Sequence, residues 1–213
     1  MITMVKLFNV MMNITTAGRL RHFIFLMTGL FITQLALSQQ LRYKIMQGGD
    51  QIGSMTADKT ISGNKTNLSM VSEVKKKMIL TLEVYEKHTA EFINNILTNA
   101  TVVRKVNGKV KLDKQIACNT GKCSVTSEGE TNTTEQKPVQ ASVLNIYFTE
   151  PVQLTEIYSD NFEKMVPLKS LGNHGYQLDL PDGDSVEYYY ANGVCSKVKV
   201  NKKLYNLEFI LEH

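Results

Sequence analysis

The clearest evidence for the fold class of this chain is the stretch YQLDLPDGDSVEYYYANGVCSKVKV, residues 176–200. Apolar and polar residues alternate along it with a period of two, which is typical of strands that bury one face. Pro181-Asp182-Gly183-Asp184 and Asn192-Gly193 interrupt the alternation, and both are strong turn formers. The pattern therefore predicts consecutive antiparallel strands that are joined by tight turns.

The same alternation continues outward toward both ends of the chain. Turn residues separate the alternating segments at intervals of roughly 8 to 12 residues, which is typical of a meandering antiparallel sheet. We therefore predict an all-β fold: a single domain of antiparallel meander strands in a strongly curved sheet, a half-barrel or a flattened barrel, with little helix. The further segments with this pattern are Leu41–Ile45 before Gly48-Gly49-Asp50, Met78–Val84, Val102–Val106 before Asn107-Gly108, and Tyr205–Leu211.

The first 38 residues have the properties of a secretory signal peptide. Basic residues precede the apolar run Phe23–Ala36, whose 14 residues are fewer than the roughly 20 that span a bilayer. Ala36 and Ser38 are small, as a signal peptidase requires at the third and first positions before its cleavage site. We predict cleavage after Ser38, export to the periplasm or the medium, and no transmembrane span in the mature chain, residues 39–213.

The mature chain has the size of one domain and almost no net charge. It contains 175 residues, the 213 of the full sequence less 38, which is enough for one core of ordinary size. Residues 1–38 hold 3 of the 24 basic residues and none of the 20 acidic ones, so 21 positive charges face 20 negative charges, a net of +1. Nucleic-acid binding requires a concentrated basic face, so we do not expect nucleic acid as a partner.

Two segments depart from the alternating pattern. Residues 127–138 are polar and rich in Glu, Thr and Asn, and we expect a mobile surface loop there. Residues 142–148 are mixed in character and are compatible either with a strand or with one or two helical turns. The sequence does not decide between these two interpretations.

The three cysteines of the chain suggest one disulfide and one free thiol in an oxidising compartment. Cys118 and Cys123 are separated by a turn-forming tetrapeptide, which brings their backbones close enough for a disulfide. Strict alternation places Cys195 on the same face of its strand as Lys197. We therefore expect Cys195 to be an exposed free thiol or to pair with an unidentified partner.

No motif in the sequence predicts catalysis, a metal site or a cofactor. Ser72-Glu73-Val74-Lys75 and Ser159-Asp160-Asn161 match the letters of two serine β-lactamase motifs, but Ser72 lies in a strand pattern instead of at a helix start. The acidic residues around Asp182 are explained by turn chemistry. We expect a protein that is not an enzyme and has no catalytic residues, metal or cofactor. The histidines of the mature chain are isolated in sequence: His88, His174 and His213, with solvation expected for the last two.

Several segments together resemble one family of exported bacterial proteins, the domain-of-unknown-function family numbered 6134. The resemblance covers nearly all of residues 41–211 and implies export and a β-rich fold, but it implies no activity. The opening hairpin is also similar to envelope β proteins whose curved sheets resemble the half-barrels of lipoprotein carriers, an analogy of fold only. The segments that carry the family resemblance are Tyr43-Lys44-Ile45 with Gly48-Gly49 and Ile52-Gly53, Tyr147–Pro151, Tyr158-Ser159-Asp160 with Phe162, Tyr176–Gly183, and Tyr190–Cys195.

Three functions are compatible with an exported, one-sided β sheet. The first is a periplasmic binding protein whose bent sheet shields a lipid or another apolar small molecule in its concave face. The second is a structural or protein-interaction module of the envelope without a ligand, which uses an edge strand or the segment 127–138. The third is a hydrolase built from dispersed residues. For the first, the candidate lining residues are Leu82, Val84, Tyr188, Tyr190, Phe209 and Leu211.

Overall fold

The computed structural model describes residues 37–77, 81–119 and 121–212. Fourteen strands contain most of these residues, and the helical residues among them are the three of a 3₁₀ helix, Asn145–Tyr147. Residues 1–36, which make up all but the last two residues of the predicted signal peptide, lie outside the described residues. Residues 78–80, Thr120 and His213 also lie outside them. The strands are β1 (Leu37–Gln47), β2 (Asp50–Ser62), β3 (Lys65–Lys77), β4 (Thr81–Ile93), β5 (Ile96–Val106), β6 (Lys109–Asn119), β7 (Lys122–Ser127), β8 (Glu130–Glu135), β9 (Glu156–Ser159), β10 (Lys164–Gly172), β11 (Gly175–Asp179), β12 (Ser185–Ala191), β13 (Val194–Asn201) and β14 (Asn206–Leu211).

All fourteen strands belong to one antiparallel sheet, which confirms the predicted all-β meander. Its order is β8-β7-β6-β5-β4-β3-β2-β1-β14-β13-β12-β11-β10-β9. Strands that are consecutive in sequence therefore pair, except β8 and β9, and the pairing of β1 with β14 joins the two arms β1–β8 and β9–β14. Within the part of the chain that the structure describes, β8 and β9 are the two outermost strands of the sheet, and no pairing closes it into a barrel.

Tight turns set the register of the hairpins. At Asn107-Gly108 both turn residues have positive φ, 48° and 76°, as the two-residue hairpin turn between right-handed twisted strands requires. Asn94-Asn95 makes the same kind of turn with φ of 52° and 61°, although it contains no glycine. Gly53 has a different role, because a Cβ atom there would lie 2.1 Å from the carbonyl oxygen of Glu73 on the neighbouring strand.

The sheet is so strongly curved that distant strands meet across its interior. His88 of β4 and Asp160, which follows β9, lie at 2.8 Å from each other although nine positions separate their strands in the sheet order. We call the face on which these side chains meet the inner face, and it carries the buried apolar core. Directly opposed residues share a face, and one inner row runs Val84, Val74, Gly53, Ile45, Phe209, Val198 and Tyr188.

Two local predictions need correction or completion. The segment 127–138 is not a loop throughout, because residues 130–135 form the edge strand β8, whose six residues are all exposed as expected. Its threonines favour a strand in spite of their polarity. Residues 142–148 form neither a full strand nor a regular helix: Ser142 makes a single bridge to Tyr158, and the 3₁₀ helix follows.

Candidate functional site

The connection between β8 and β9, residues 136–155, crosses the inner face of the sheet. The backbone N–H of Leu97 on β5 donates to Val139 at 2.8 Å, and the N–H of Glu150 donates to Gly193, between β12 and β13, at 3.2 Å. The connection thus contacts both arms and occupies the centre of the concave face. Its buried apolar side chains include Val139, Leu144, Ile146, Tyr147 and Phe148.

A cluster of tyrosines attaches this connection to the sheet. The ring of Tyr147 packs edge to face against Tyr43 and Tyr188, with centroid distances of 5.8 and 5.9 Å. The hydroxyl of Tyr190 donates to the carbonyl of Ile146 at 2.6 Å. Burial raises the pKa of each of these four tyrosines, so their hydroxyls are neutral donors at physiological pH.

Cys195 lies inside this cluster, which corrects the prediction that it is exposed. Opposite Tyr189 and Tyr190, β13 has a β-bulge with Ser196 as its extra residue, so the alternation of β13 changes phase and the thiol lies on the inner face. The carbonyl of Cys195 accepts a hydrogen bond from Tyr43 at 2.7 Å. Burial raises the pKa of the thiol to about 12, so Cys195 is a free but unreactive cysteine. The disulfide between Cys118 and Cys123 is present, as predicted.

A network of charged side chains joins the two arms across the interior. Nδ1 of His88 contacts Asp160 at 2.8 Å, and its Nε2 contacts Glu86 at 3.0 Å. Arg104 donates to the same Glu86 oxygen at 2.6 Å. Lys114 extends the network by donating to the carbonyl of Asn161 at 2.8 Å. The strands β4, β5 and β6 are thereby connected to the turn that follows β9.

The network carries ionised groups in spite of its burial. Burial disfavours the imidazolium of His88, but hydrogen bonds to Asp160 and Glu86 outweigh it and raise the pKa to about 9. Burial also disfavours the carboxylate of Glu86, yet His88 and Arg104 lower its pKa to about 2. Oδ1 of Asp160 is buried and has no hydrogen-bond partner among the residues that the structure describes. Among the described residues no group of three His, Cys, Asp or Glu side chains is arranged to hold a metal ion.

An open groove with a volume of about 790 Å³ lies beside the connection, at the ends of β2, β3 and β4. Its apolar lining comes from both the sheet and the connection, and Val152 is 71% exposed and Leu154 39% exposed. Polar residues also line the groove, including Lys59 and Asn145. The groove thus offers apolar and polar contacts side by side. Its principal apolar residues are Ile61, Phe92, Ile146, Val152 and Leu154.

Glu150 is the carboxylate of this groove, and it is already engaged. Its Oε1 lies 2.9 Å from Nδ1 of His174 and accepts a hydrogen bond from the hydroxyl of Tyr176 at 2.9 Å. The hydrogen bond with His174 lowers the pKa of Glu150, so the carboxylate is ionised. His174 is exposed, as the sequence predicts for it.

The six predicted lining residues share the inner face but do not line the groove. Tyr188 and Tyr190 are buried against the connection, in the tyrosine cluster described above. Phe209 and Leu211 are partly buried against the core. Val84 is half-buried, and Leu82, at the end of the same face, is 37% exposed.

The sequence does contain a signal for polar interior residues that no motif marks. Charged residues occupy positions on the inward face of strands that otherwise bury apolar side chains there. Their odd or even position along the strand is therefore what distinguishes them from charged surface residues. His88, for example, has the same parity as the buried Ala90. The residues with this signal are Lys59, Glu86, His88, Arg104 and Lys114.

Comparisons with known proteins address the fold and not the groove. A model of the family described as Domain of unknown function (DUF6134) matches residues 43–212, which confirms the resemblance seen in the sequence. The fold is similar to the crystal structure of a beta-barrel-like protein of domain of unknown function DUF1849 from Brucella abortus, with a TM-score of 0.53 and 12% identity over 84% of this chain and 97% of that chain. No curated protein matches the sequence. Within the described residues, no helix is long and apolar enough to cross a membrane.

Proposed function

The chain belongs to the family described as domain of unknown function DUF6134, and we propose that it is an exported binding protein for an amphipathic small molecule. The ligand, in this proposal, is a lipid with one acyl chain that lies in the groove beside Val152 and Leu154. The proposal assigns binding, and no catalysis, to the groove.

One observation carries the proposal: the groove combines a suitable volume with exposed apolar side chains. Its volume of about 790 Å³ lies within the range of roughly 300 to 1,000 Å³ that small-molecule sites usually have. Val152, 71% exposed, costs free energy in water that an acyl chain would recover by covering it. The amide side chains and the lysine that line the same groove suit the polar end of the same ligand.

The proposed site differs from the concave face that the sequence suggests. The connection 136–155 already fills the centre of that face, so Tyr188 and Tyr190 contact Tyr147 and Ile146. A ligand at the groove needs no displacement of this buried segment. We therefore propose binding beside the connection instead of beneath it.

The periplasmic or secreted location is part of the proposal. The predicted signal peptide supports it, and so does the disulfide between Cys118 and Cys123, because disulfides persist mainly in oxidising compartments. These two features are independent of each other.

Native mass spectrometry of the exported protein, purified from the periplasm of a producing bacterium, tests the proposal. We expect a discrete lipid-sized adduct that organic extraction removes. In Val152→Asp the adduct should be lost, because a carboxylate in the apolar lining excludes an acyl chain. Leu204→Asp is the matched control, since Leu204 is 93% exposed in the turn between β13 and β14 and does not line the groove. A clean apo mass of the wild-type protein would contradict the proposal.

A second candidate function, protein interaction in the envelope, is favoured by the edge strand β8. All six of its residues are exposed, and one side of its backbone has no partner strand among the described residues. Such an edge can pair with an extended segment of another protein. A clean apo mass, together with loss of a defined complex after Thr133→Pro in β8, would favour this candidate.

A further inference from the structure

We infer that the ligand of the groove is an anionic amphiphile of the fatty-acid class, whose carboxylate pairs with the ammonium of Lys59. This inference rests on the proposed function, because it names the chemistry of the ligand that the groove would hold. It follows from the charged and hydrogen-bonding side chains that line the groove.

Lys59 is a charged residue at an inward position. On β2 it has the same parity as the buried Met55 and Ala57, and it lies directly opposite Leu68, which is 2% exposed. An ammonium at such a position is costly unless a partner compensates its partial loss of hydration. The residue is half-buried and lines the groove.

The protein supplies no carboxylate to Lys59 within the part of the chain that the structure describes. No Asp or Glu oxygen there lies within 4.0 Å of its Nζ atom. Its contact instead is the ring of Phe148, whose centroid lies 6.0 Å from Nζ, at the limit of a cation–π interaction. Lys114, by contrast, also stands at an inward position and contacts Glu163 at 2.5 Å.

The remaining polar lining favours an anion over a cation. Glu150, the carboxylate of the groove, already binds His174 and Tyr176. Oδ1 of Asn145 accepts hydrogen bonds from the backbone N–H of Ser142 at 2.8 Å and from its hydroxyl at 3.3 Å. The amide protons of Asn145 have no acceptor among the described residues, and such donors suit a carboxylate.

The apolar part of the groove determines the chemistry of the other end of the ligand. Ile61 and Ile146 line it together with Val152 and Leu154, so an acyl chain can cover apolar surface while its carboxylate meets Lys59. The volume of about 790 Å³ is that of a site for one small molecule, which is why we commit to a free fatty acid over a phospholipid with two chains.

Isothermal titration calorimetry with three ligands of equal chain length tests the inference. Dodecanoate, dodecanol and dodecyltrimethylammonium are titrated into the exported protein as the cell processes it, after exchange of any bound lipid. We expect dodecanoate to bind at least about tenfold more tightly than dodecanol, because a charge-assisted pair replaces a neutral contact. Dodecyltrimethylammonium should bind most weakly. In Lys59→Met the preference for dodecanoate should disappear, and in Lys59→Arg it should remain.

The outcomes separate failure of the inference from failure of the proposed function. If none of the three ligands binds to the wild-type protein, the proposed function itself fails. If all three bind equally and Lys59→Met changes nothing, the groove binds amphiphiles but the inferred head group is wrong. If the protein extracts phosphatidylglycerol from vesicles and does not bind dodecanoate, the anion is a phospholipid and the fatty-acid assignment is overturned. Lys59→Arg keeps the positive charge and should remain folded, so its ligand preference still tests the inference if Lys59→Met misfolds.

Discussion

The interior of this sheet is polar in two regions, and they differ in how their charges are compensated. In the buried network, His88 bridges Asp160 and Glu86, and Arg104 binds the same glutamate. In the groove, Lys59 faces the ring of Phe148 and meets no carboxylate of the described chain. Both regions have charged residues at inward positions, but only the network supplies partners of opposite charge.

The difference separates a structural role from a binding role. Paired charges hold the two arms of the open sheet together, and the removal of one partner leaves a buried charge with less compensation. Lys59 has no carboxylate partner in the described chain and lines the groove together with exposed apolar residues. It therefore adds little to the stability of the fold and is available to a ligand. Substitutions and changes of pH should therefore affect the two regions unequally.

Asp160→Ala should reduce stability more than any other substitution considered for the two regions. It removes one of the two carboxylates that compensate the charge of the buried His88, and breaking a buried ion pair in this way costs about 3 to 5 kcal/mol. Urea denaturation monitored by circular dichroism measures the change in the free energy of unfolding. Asp113→Ala is the control, because Asp113 is exposed and its side chain has no ion-pair partner among the described residues. Equal effects of the two substitutions would contradict a structural role for the network.

The stability of the wild-type protein should depend on pH in two separate ranges. His88 has its pKa raised from 6.5 to about 9, so its contribution is complete below pH 6.5 and is lost as pH rises through about 9. Glu86 has its pKa lowered from 4.5 to about 2, so its contribution is complete above pH 4.5 and is lost as pH falls through about 2. Urea denaturation across pH should therefore show greatest stability between these ranges. An alkaline loss of equal size in Asp160→Ala would refute the assignment to His88.

Tyr190→Phe should cost less, because it removes a neutral hydrogen bond. Without the hydroxyl, the carbonyl of Ile146 loses the donor that it has in the folded protein, and such a loss costs about 1 kcal/mol. Chemical denaturation measures this change against Tyr205→Phe, a substitution at an exposed tyrosine. A loss in the free energy of unfolding as large as that of Asp160→Ala would contradict the distinction between charged and neutral interior contacts.

Lys59→Met should leave stability within about 0.5 kcal/mol of the wild type, or raise it. The substitution leaves no carboxylate of the described chain without its partner, and a methionine side chain suits the apolar neighbours. The measurement is again the free energy of unfolding in urea. A loss of more than about 1 kcal/mol would mean that Lys59 stabilises the fold, which would weaken its assignment to a ligand.

Much of the fold is predictable from this sequence because its signals are local. Alternation and the turn residues Asn107-Gly108 and Asn192-Gly193 are sufficient to predict hairpins, and hairpins joined in sequence make a meander. The position of Cys195 is not predictable by parity, because a bulge at Ser196 changes the phase of β13. β8 escapes prediction because its polar residues give no alternation between a buried and an exposed face.

The site is less predictable because it depends on contacts that are distant in sequence. The connection 136–155 has no regular period, so its course through the concave face cannot be read from the sequence. The partnership of His88 with Asp160 spans 72 residues and follows from the curvature of the whole sheet. Only the parity of the charged residues is available as a signal, and it indicates burial without identifying the partner.

Binding in the groove can be observed residue by residue in a methyl NMR titration with dodecanoate. We predict shift changes at the methyl groups of Ile61, Ile146, Val152 and Leu154, which line the groove, and none at Leu82, Val84 or Leu211. Changes confined to Leu82, Val84 and Leu211 would place the ligand on the concave face that the sequence suggests. That result would contradict binding in the groove, as would the absence of any change.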